Sequence, residues 1–185
     1  MYGLVNQAVE DLIRAEHGEA TWQAIKGRAG VDAPAFISMS PYPDAVTYRL
    51  VGAASEVLAV PVPALLEAFG EYWILYTARK GYGHLLTLAG TSFPEFVQQL
   101  DQLHAHVALS FTELRPPTFW CTEVGERSLR LHYRSSREGL APMVIGLLRG
   151  LGTMFDTAVT VTHVASPGQG ADHDEFQIAF LPPPA

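Results

Sequence analysis

The spacing of the apolar residues changes once along this chain, near Phe119, and that change constrains the fold more than any other feature. Upstream, apolar residues recur at helical intervals. Leu4, Val5, Ala8, Val9, Leu12 and Ile13 form one stripe, closed by Gly18. Downstream, residues 119–123 and 128–135 alternate about a turn at Gly125, the pattern of a β-hairpin. A helix is expected over 141–155. A second pair of strands follows at 159–164 and 176–181, joined by the loop 166–170. Helices first and strands later predict an α+β fold, with a helical amino-terminal part packed beside an antiparallel sheet of about four strands.

Turn and cap signals divide the helical part. A second helix is expected over 19–29, and the chain breaks at Pro41 and Pro43. Asp44 is placed to cap a helix through Val57, interrupted near Gly52. Pro63 opens the next, with Leu65, Leu66, Phe69, Trp73 and Tyr76 apolar, and Gly81-Tyr82-Gly83 ends it. Ser92-Phe93-Pro94-Glu95 reads as a capping box that starts a helix running through His104. Arg115-Pro116-Pro117 is a rigid break. Residues 1–181 are read as one domain, and the prolines of 182–185 as a loose tail.

The 185 residues can bury a core and still enclose a cofactor. The net charge is −7 and the 12 Lys and Arg are scattered, so nucleic acid and anionic membrane surfaces are excluded as partners. A lone cysteine, Cys121, leaves no internal disulfide and no Cys-rich metal site. The amino terminus carries no leader-like run, and the longest apolar stretch, 140–148, is too short to span a bilayer. A cytoplasmic location is expected.

Seven histidines are present. At ~100° per residue, Phe93, Phe96, Val97, Leu100, Leu103, His104 and Val107 share one apolar stripe. His106 lies about 200° round from His104, beside Gln99 and Gln102 on the wet face. His104 therefore points inward, where a buried imidazole must find a partner. A metal ion or a backbone carbonyl would serve. No second ligand stands at zinc spacing on the same helix, whereas one axial imidazole suffices for a five-coordinate haem.

The second candidate is Tyr133-Arg134-Ser135-Ser136-Arg137. In a strand, residues two apart share a face, so Leu129, Leu131, Tyr133, Ser135 and Arg137 point one way and Arg130, His132 and Arg134 the other. A guanidinium fork and two hydroxyls suit a pair of carboxylates at the mouth of an apolar pocket. Haem propionates are such a pair, and a strand end meeting solvent is the plain alternative.

Taken together, these motifs resemble the H-NOX family, the haem nitric oxide/oxygen-binding domains of bacteria and of animal soluble guanylate cyclase. The likeness runs along the chain through Met1-Tyr2-Gly3-Leu4-Val5, Tyr48-Arg49-Leu50-Val51-Gly52, Phe69-Gly70-Glu71-Tyr72-Trp73, Leu103-His104, Leu114-Arg115-Pro116-Pro117, Tyr133-x-Ser135-x-Arg137 and Gly139-Leu140-Ala141-Pro142-Met143-Val144. It looks nearest to stand-alone cyanobacterial-type members. The resemblance implies haem b buried between the two parts and His104 as proximal iron ligand. It also implies that Tyr133, Ser135 and Arg137 hold the propionates, with Pro116 or Pro117 pressed on the haem edge. His106 stands where Arg is usual, and Cys121 is expected to fill space rather than bind iron.

Members that hold oxygen resemble one another in a distal tyrosine. Met143 takes that position here, with Val5, Val9 and Leu147 beside it, and none donates a hydrogen bond. This implies a sensor, not an enzyme, that binds NO and CO and rejects oxygen. Weakening of the His104–iron bond would pass the signal to a separate protein, a histidine kinase or a cyclic-di-nucleotide enzyme. Three alternatives stand beside it. An oxygen sensor would use the Trp73 indole as distal donor. A haem enzyme would need a distal acid/base pair, and no His or Arg is assignable to that role. A haem-free interaction module is the third.

Overall fold

The structure is a computed structural model that describes residues 1–78, 86 and 89–181. Helix α1 (Gly3–Ala29) bends at Gly18, whose φ of 83° and ψ of 171° lie outside the helical region, so the two expected helices meet there. Gly30, with φ 61°, ends it in the left-handed conformation that favours glycine. Helix α2 (Asp44–Leu58) runs unbroken through Gly52, against the interruption expected there. A glycine inside a helix costs only ~0.5–1 kcal/mol relative to alanine, and burial of Leu50, Ala53 and Ala54 on the same helix outweighs it. Pro43, not Asp44, holds the cap position; the Asp44 carboxylate is used elsewhere.

Helix α3 (Val62–Tyr72) widens into a π-helical segment, Trp73–Ala78. The end expected at Gly81–Gly83 falls outside the described residues. The expected helix through His104 is two pieces, α4 (Phe93–Gln98) and α5 (Leu100–Ser110), parted at Gln99, where φ is −99° and ψ 4°. Phe93, Phe96 and Val97 pin α4 into the core, whereas α5 buries no residue fully. Glu95 closes the start of α4 by accepting from the Thr91 amide at 3.0 Å and its hydroxyl at 2.9 Å, so the cap reaches back one residue further than the sequence suggests.

Strands β1 (Thr118–Thr122) and β2 (Ser128–Arg134) form the expected hairpin, in which the Gly125 amide donates to the Ser128 carbonyl at 2.8 Å. Helix α6 (Ala141–Met154) follows, then β3 (Ala158–Ala165) and β4 (Asp174–Leu181). The antiparallel sheet has the order β1-β2-β4-β3. Its inner face carries Phe119, Leu129, Leu131, Tyr133, Phe176, Ile178 and Phe180, and these form one core with Phe93, Phe96, Leu148 and Leu151. A second core joins α1, α2 and α3 through Leu12, Trp22, Ile25, Leu50 and Phe69. Trp73 packs against both.

Glycines set the approach of α3 to α6. A Cβ on Gly146 would lie 1.9 Å from the Glu67 carbonyl oxygen, and one on Gly70 would lie 2.3 Å from that of Met143. Only hydrogen fits at either place, and this brings Met143 and Leu147 alongside α3, which ends at Tyr72. Among the described residues no single helix is long and apolar enough to cross a membrane.

Candidate functional site

His104 projects from α5 and is mostly buried, and its Nδ1 lies 2.7 Å from the Leu100 carbonyl oxygen one turn back. A carbonyl can only accept, so Nδ1 carries the proton and Nε2 is left as a lone pair. Among the described residues nothing hydrogen-bonds to that Nε2. Burial pushes the imidazole pKa down, against the opposing pull of the Leu100 carbonyl and Asp101, so the ring is neutral at pH 7. A neutral ring with its far nitrogen held by a carbonyl is the ligating form of histidine. His106 makes the same local bond, Nδ1 to the Gln102 carbonyl at 2.8 Å, but is exposed on the wet face, as its spacing predicts.

Phe119 links His104 to the sheet. Its ring stacks on the imidazole at 5.4 Å and 26°, and lies 5.2 Å from the Tyr133 ring on the paired strand. The Phe119 amide donates to Asp101 on the His104 helix at 3.1 Å, which ties α5 to β1. Of the two prolines before β1, Pro117 is half-buried and Pro116 exposed.

Tyr133 is buried, and burial raises its phenol pKa. The strand ends at Arg134, so Ser135 and Arg137 lie in the turn that follows and not on the extended face read from the sequence. A local bond organises them: the Arg137 amide donates to Ser135 Oγ at 3.0 Å. The Arg137 guanidinium donates from Nε to Asp44 Oδ2 at 2.7 Å and from Nη1 to the Arg115 carbonyl at 2.8 Å. The chain's ammonium terminus donates to the same Asp44 carboxylate. Burial raises the Asp44 pKa, but the bonds from the amino terminus and Arg137 outweigh it and hold the carboxyl below the usual range. Since a guanidinium has five N–H groups, donors remain on Arg137 for a further carboxylate.

The remaining candidates fall into two groups. Leu147 packs against the sheet-side core, Val5, Val9 and Met143 belong to the helical core, and Trp73 touches both. Trp73 meets Phe69 edge-on at 6.0 Å. Two buried polar atoms lack partners among the described residues, Asn6 Nδ2 beside Val5 and Thr77 Oγ1 one turn beyond Trp73. The residues present fit a haem: a poised imidazole lone pair, apolar walls from both cores, and a Tyr-Ser-Arg group with unused donors.

The model of the haem-NO-binding family matches residues 2–163. The chain belongs to that family. A haem-NO-binding domain is a sensing module rather than a catalytic one, and haem is its cofactor. Soluble guanylate cyclase gcy-31 of Caenorhabditis elegans is 30% identical over 162 residues, 87% of this chain and 23% of that protein. The rat guanylate cyclase soluble subunit beta-2 is 36% identical over 100 residues, 54% of this chain. The chain thus spans less than a quarter of the length of these relatives. Among solved structures, an H-NOX protein from S. oneidensis in the Fe(II) state is similar with a TM-score of 0.90 at 21% identity, covering 98% of this chain and 96% of that one. The same protein in the Fe(II)NO state gives 0.88 at 20% identity, with 98% and 99% covered. The fold is theirs.

Sequence reasoning missed Asp44, the carboxylate that engages Arg137, and Phe119, the ring between His104 and Tyr133. Asp44 lies 93 residues from Arg137 and reads as a helix cap; Phe119 reads only as the start of an alternating strand. The pairing of Phe119 with Tyr133 across the hairpin was the one available signal.

Proposed function

We propose that this chain is a ferrous haem sensor that binds NO and CO in preference to oxygen, with His104 as its proximal ligand. The observation that carries this reading is the His104 ring itself, neutral, inward and fixed so that Nε2 is free to ligate. Haem b supplies a ferrous iron able to bind a diatomic gas.

The chain's own residues do the rest. His104 tethers α5 to the haem, and the Leu100 carbonyl keeps its tautomer. Tyr133, Ser135 and the spare N–H groups of Arg137 hold the propionates, while Asp44 holds Arg137 in place. Pro117, with Pro116, bears on the haem edge. Val5, Val9, Met143 and Leu147 line the gas side and offer no donor, which disfavours the polar oxygen complex and leaves NO and CO little affected. Trp73 closes that side as a plug. α5 is the output element: it buries no residue fully and is anchored by the Phe119 stack and the Asp101 bond. Were a gas bound at such a haem to loosen the tether from His104, α5 would be free to move, and its two positions would be the states a ligand selects between. The signal passes to a separate protein, a histidine kinase or cyclic-di-nucleotide enzyme, in the cytoplasm.

A specific test is His104→Ala beside His106→Ala. The first is expected to lose the five-coordinate ferrous absorption spectrum and regain it when free imidazole is added. The second is expected to keep it. A His104→Ala protein with an unchanged ferrous spectrum would exclude His104 as the ligand.

A further inference from the structure

On the outer face of the sheet, away from the haem side, three side chains converge that the proposed function does not use. His132 on β2 stands directly opposite Glu175 on β4, and His173 precedes that strand. His132 Nδ1 lies 2.8 Å from His173 Nε2. Glu175 Oε1 is 3.9 Å from the first nitrogen and 3.7 Å from the second. It is the one group of three or more His, Cys or carboxylate side chains with converging ligand atoms among the described residues. We infer that His132, His173 and Glu175 form a binding site for a divalent transition-metal ion of the zinc class, distinct from the haem.

Two imidazoles and a carboxylate are a donor set that suits zinc, with water as the fourth ligand. The outer partners are already placed. His173 Nδ1 meets the Asp172 carboxylate, which accepts its proton and leaves Nε2 as a lone pair. His132 Nε2 meets the Thr122 hydroxyl at 2.7 Å. Arg130 holds the other oxygen of Glu175 at 3.4 Å and leaves Oε1 turned towards the imidazoles. Trp120, opposite His132 on β1, lies parallel to its ring at 4.9 Å and 4° and so fixes its plane.

The proton inventory is consistent with binding. Without metal, His173 Nε2 accepts from His132 Nδ1–H, and His132 Nε2 accepts from the Thr122 hydroxyl. With metal, the His132 proton moves to Nε2, and the Thr122 hydroxyl turns from donor to acceptor. Tetrahedral bonds of ~2.05 Å need nitrogens about 3.3 Å apart, so the rings separate by roughly half an ångström and Glu175 moves in by a similar amount.

The test is isothermal titration of the untagged, haem-loaded full chain with zinc chloride, followed by zinc-edge X-ray absorption on the same sample. One zinc per chain is expected at micromolar concentration, with two imidazoles and oxygen in its shell. His173→Ala and Glu175→Gln are expected to weaken binding at least ~100-fold, Asp172→Asn about 10-fold, and His106→Ala not at all. An absent titration, a shell with fewer than two imidazoles, or unchanged affinity in His173→Ala would each overturn the site. The absorption measurement needs no variant, so a variant that fails to fold leaves the proposal testable, and neither result depends on gas binding at the haem.

Discussion

Replacing Gly146 with alanine tests whether the close approach of α3 and α6 depends on the missing side chain at that position. The new Cβ would sit 1.9 Å from the Glu67 carbonyl oxygen, and the clashing atom is helix backbone with no rotamer to relieve it. Restoring an ordinary 3.4 Å contact requires the two helices to part by about 1.5 Å at that point. Overpacking of this kind costs ~1–3 kcal/mol. For a chain of this size that corresponds to a fall in Tm of roughly 2–12 °C. The control is Gly52→Ala in α2, where an added Cβ meets nothing within 4 Å and the backbone is helical. It is expected to gain ~0.5–1 kcal/mol and melt slightly higher. Thermal melts followed by circular dichroism, with urea titrations as a second measure, compare the three proteins. A Gly146→Ala protein that melts with the wild type, or a Gly52→Ala protein that falls as far, would refute the reasoning.

Other outcomes follow from the same geometry. The Asp44 carboxyl has a folded pKa below the ordinary aspartate value of about 3.9, so its stabilisation is complete above that value and is lost as pH falls through the lower folded one. The Tm gap between wild type and Asp44→Asn should therefore be constant from pH 5 to 7 and shrink below about pH 3.9; a gap that widens on acidification would contradict the assignment. Burial pushes the Cys121 thiol up to about 11, and Ellman's reagent at pH 7.5 should accordingly react with it at least ~100-fold more slowly than with a free thiol. Met143→Tyr should confer a stable oxygen complex in air, seen as a persistent oxy absorption spectrum, by supplying the donor this side lacks; no change would mean that Met143 does not face the gas.

Much of the fold was legible because its signals are local. The switch from helical spacing to alternation near Phe119 announced the α+β division, Gly18 the bend in α1, and Gly125 the hairpin turn. His104 and His106 were separated correctly by the angle between them, since a helix face depends on spacing alone. What escaped depends on contacts between distant segments. The break at Gln99 has no proline or glycine to mark it, and Ser135 and Arg137 were read as strand because alternation continues past the last paired residue. Asp44 meets Arg137 only after α2 and the turn after β2 come together. His132, His173 and Glu175 converge only through the register of β2 with β4, which no spacing along the chain encodes.

The central claim, a ferrous haem held by His104 that prefers NO to oxygen, is tested most directly by one absorption series. The purified protein is reduced with dithionite, its spectrum recorded, and NO and then air are admitted to separate samples. The account predicts a five-coordinate ferrous Soret band, a shift of that band to the blue with NO, and no stable oxy spectrum in air. A persistent oxy spectrum would overturn the selectivity argument and mean that Trp73 or another donor stabilises oxygen. A protein that takes up no haem would contradict the whole reading of His104, Tyr133, Ser135 and Arg137.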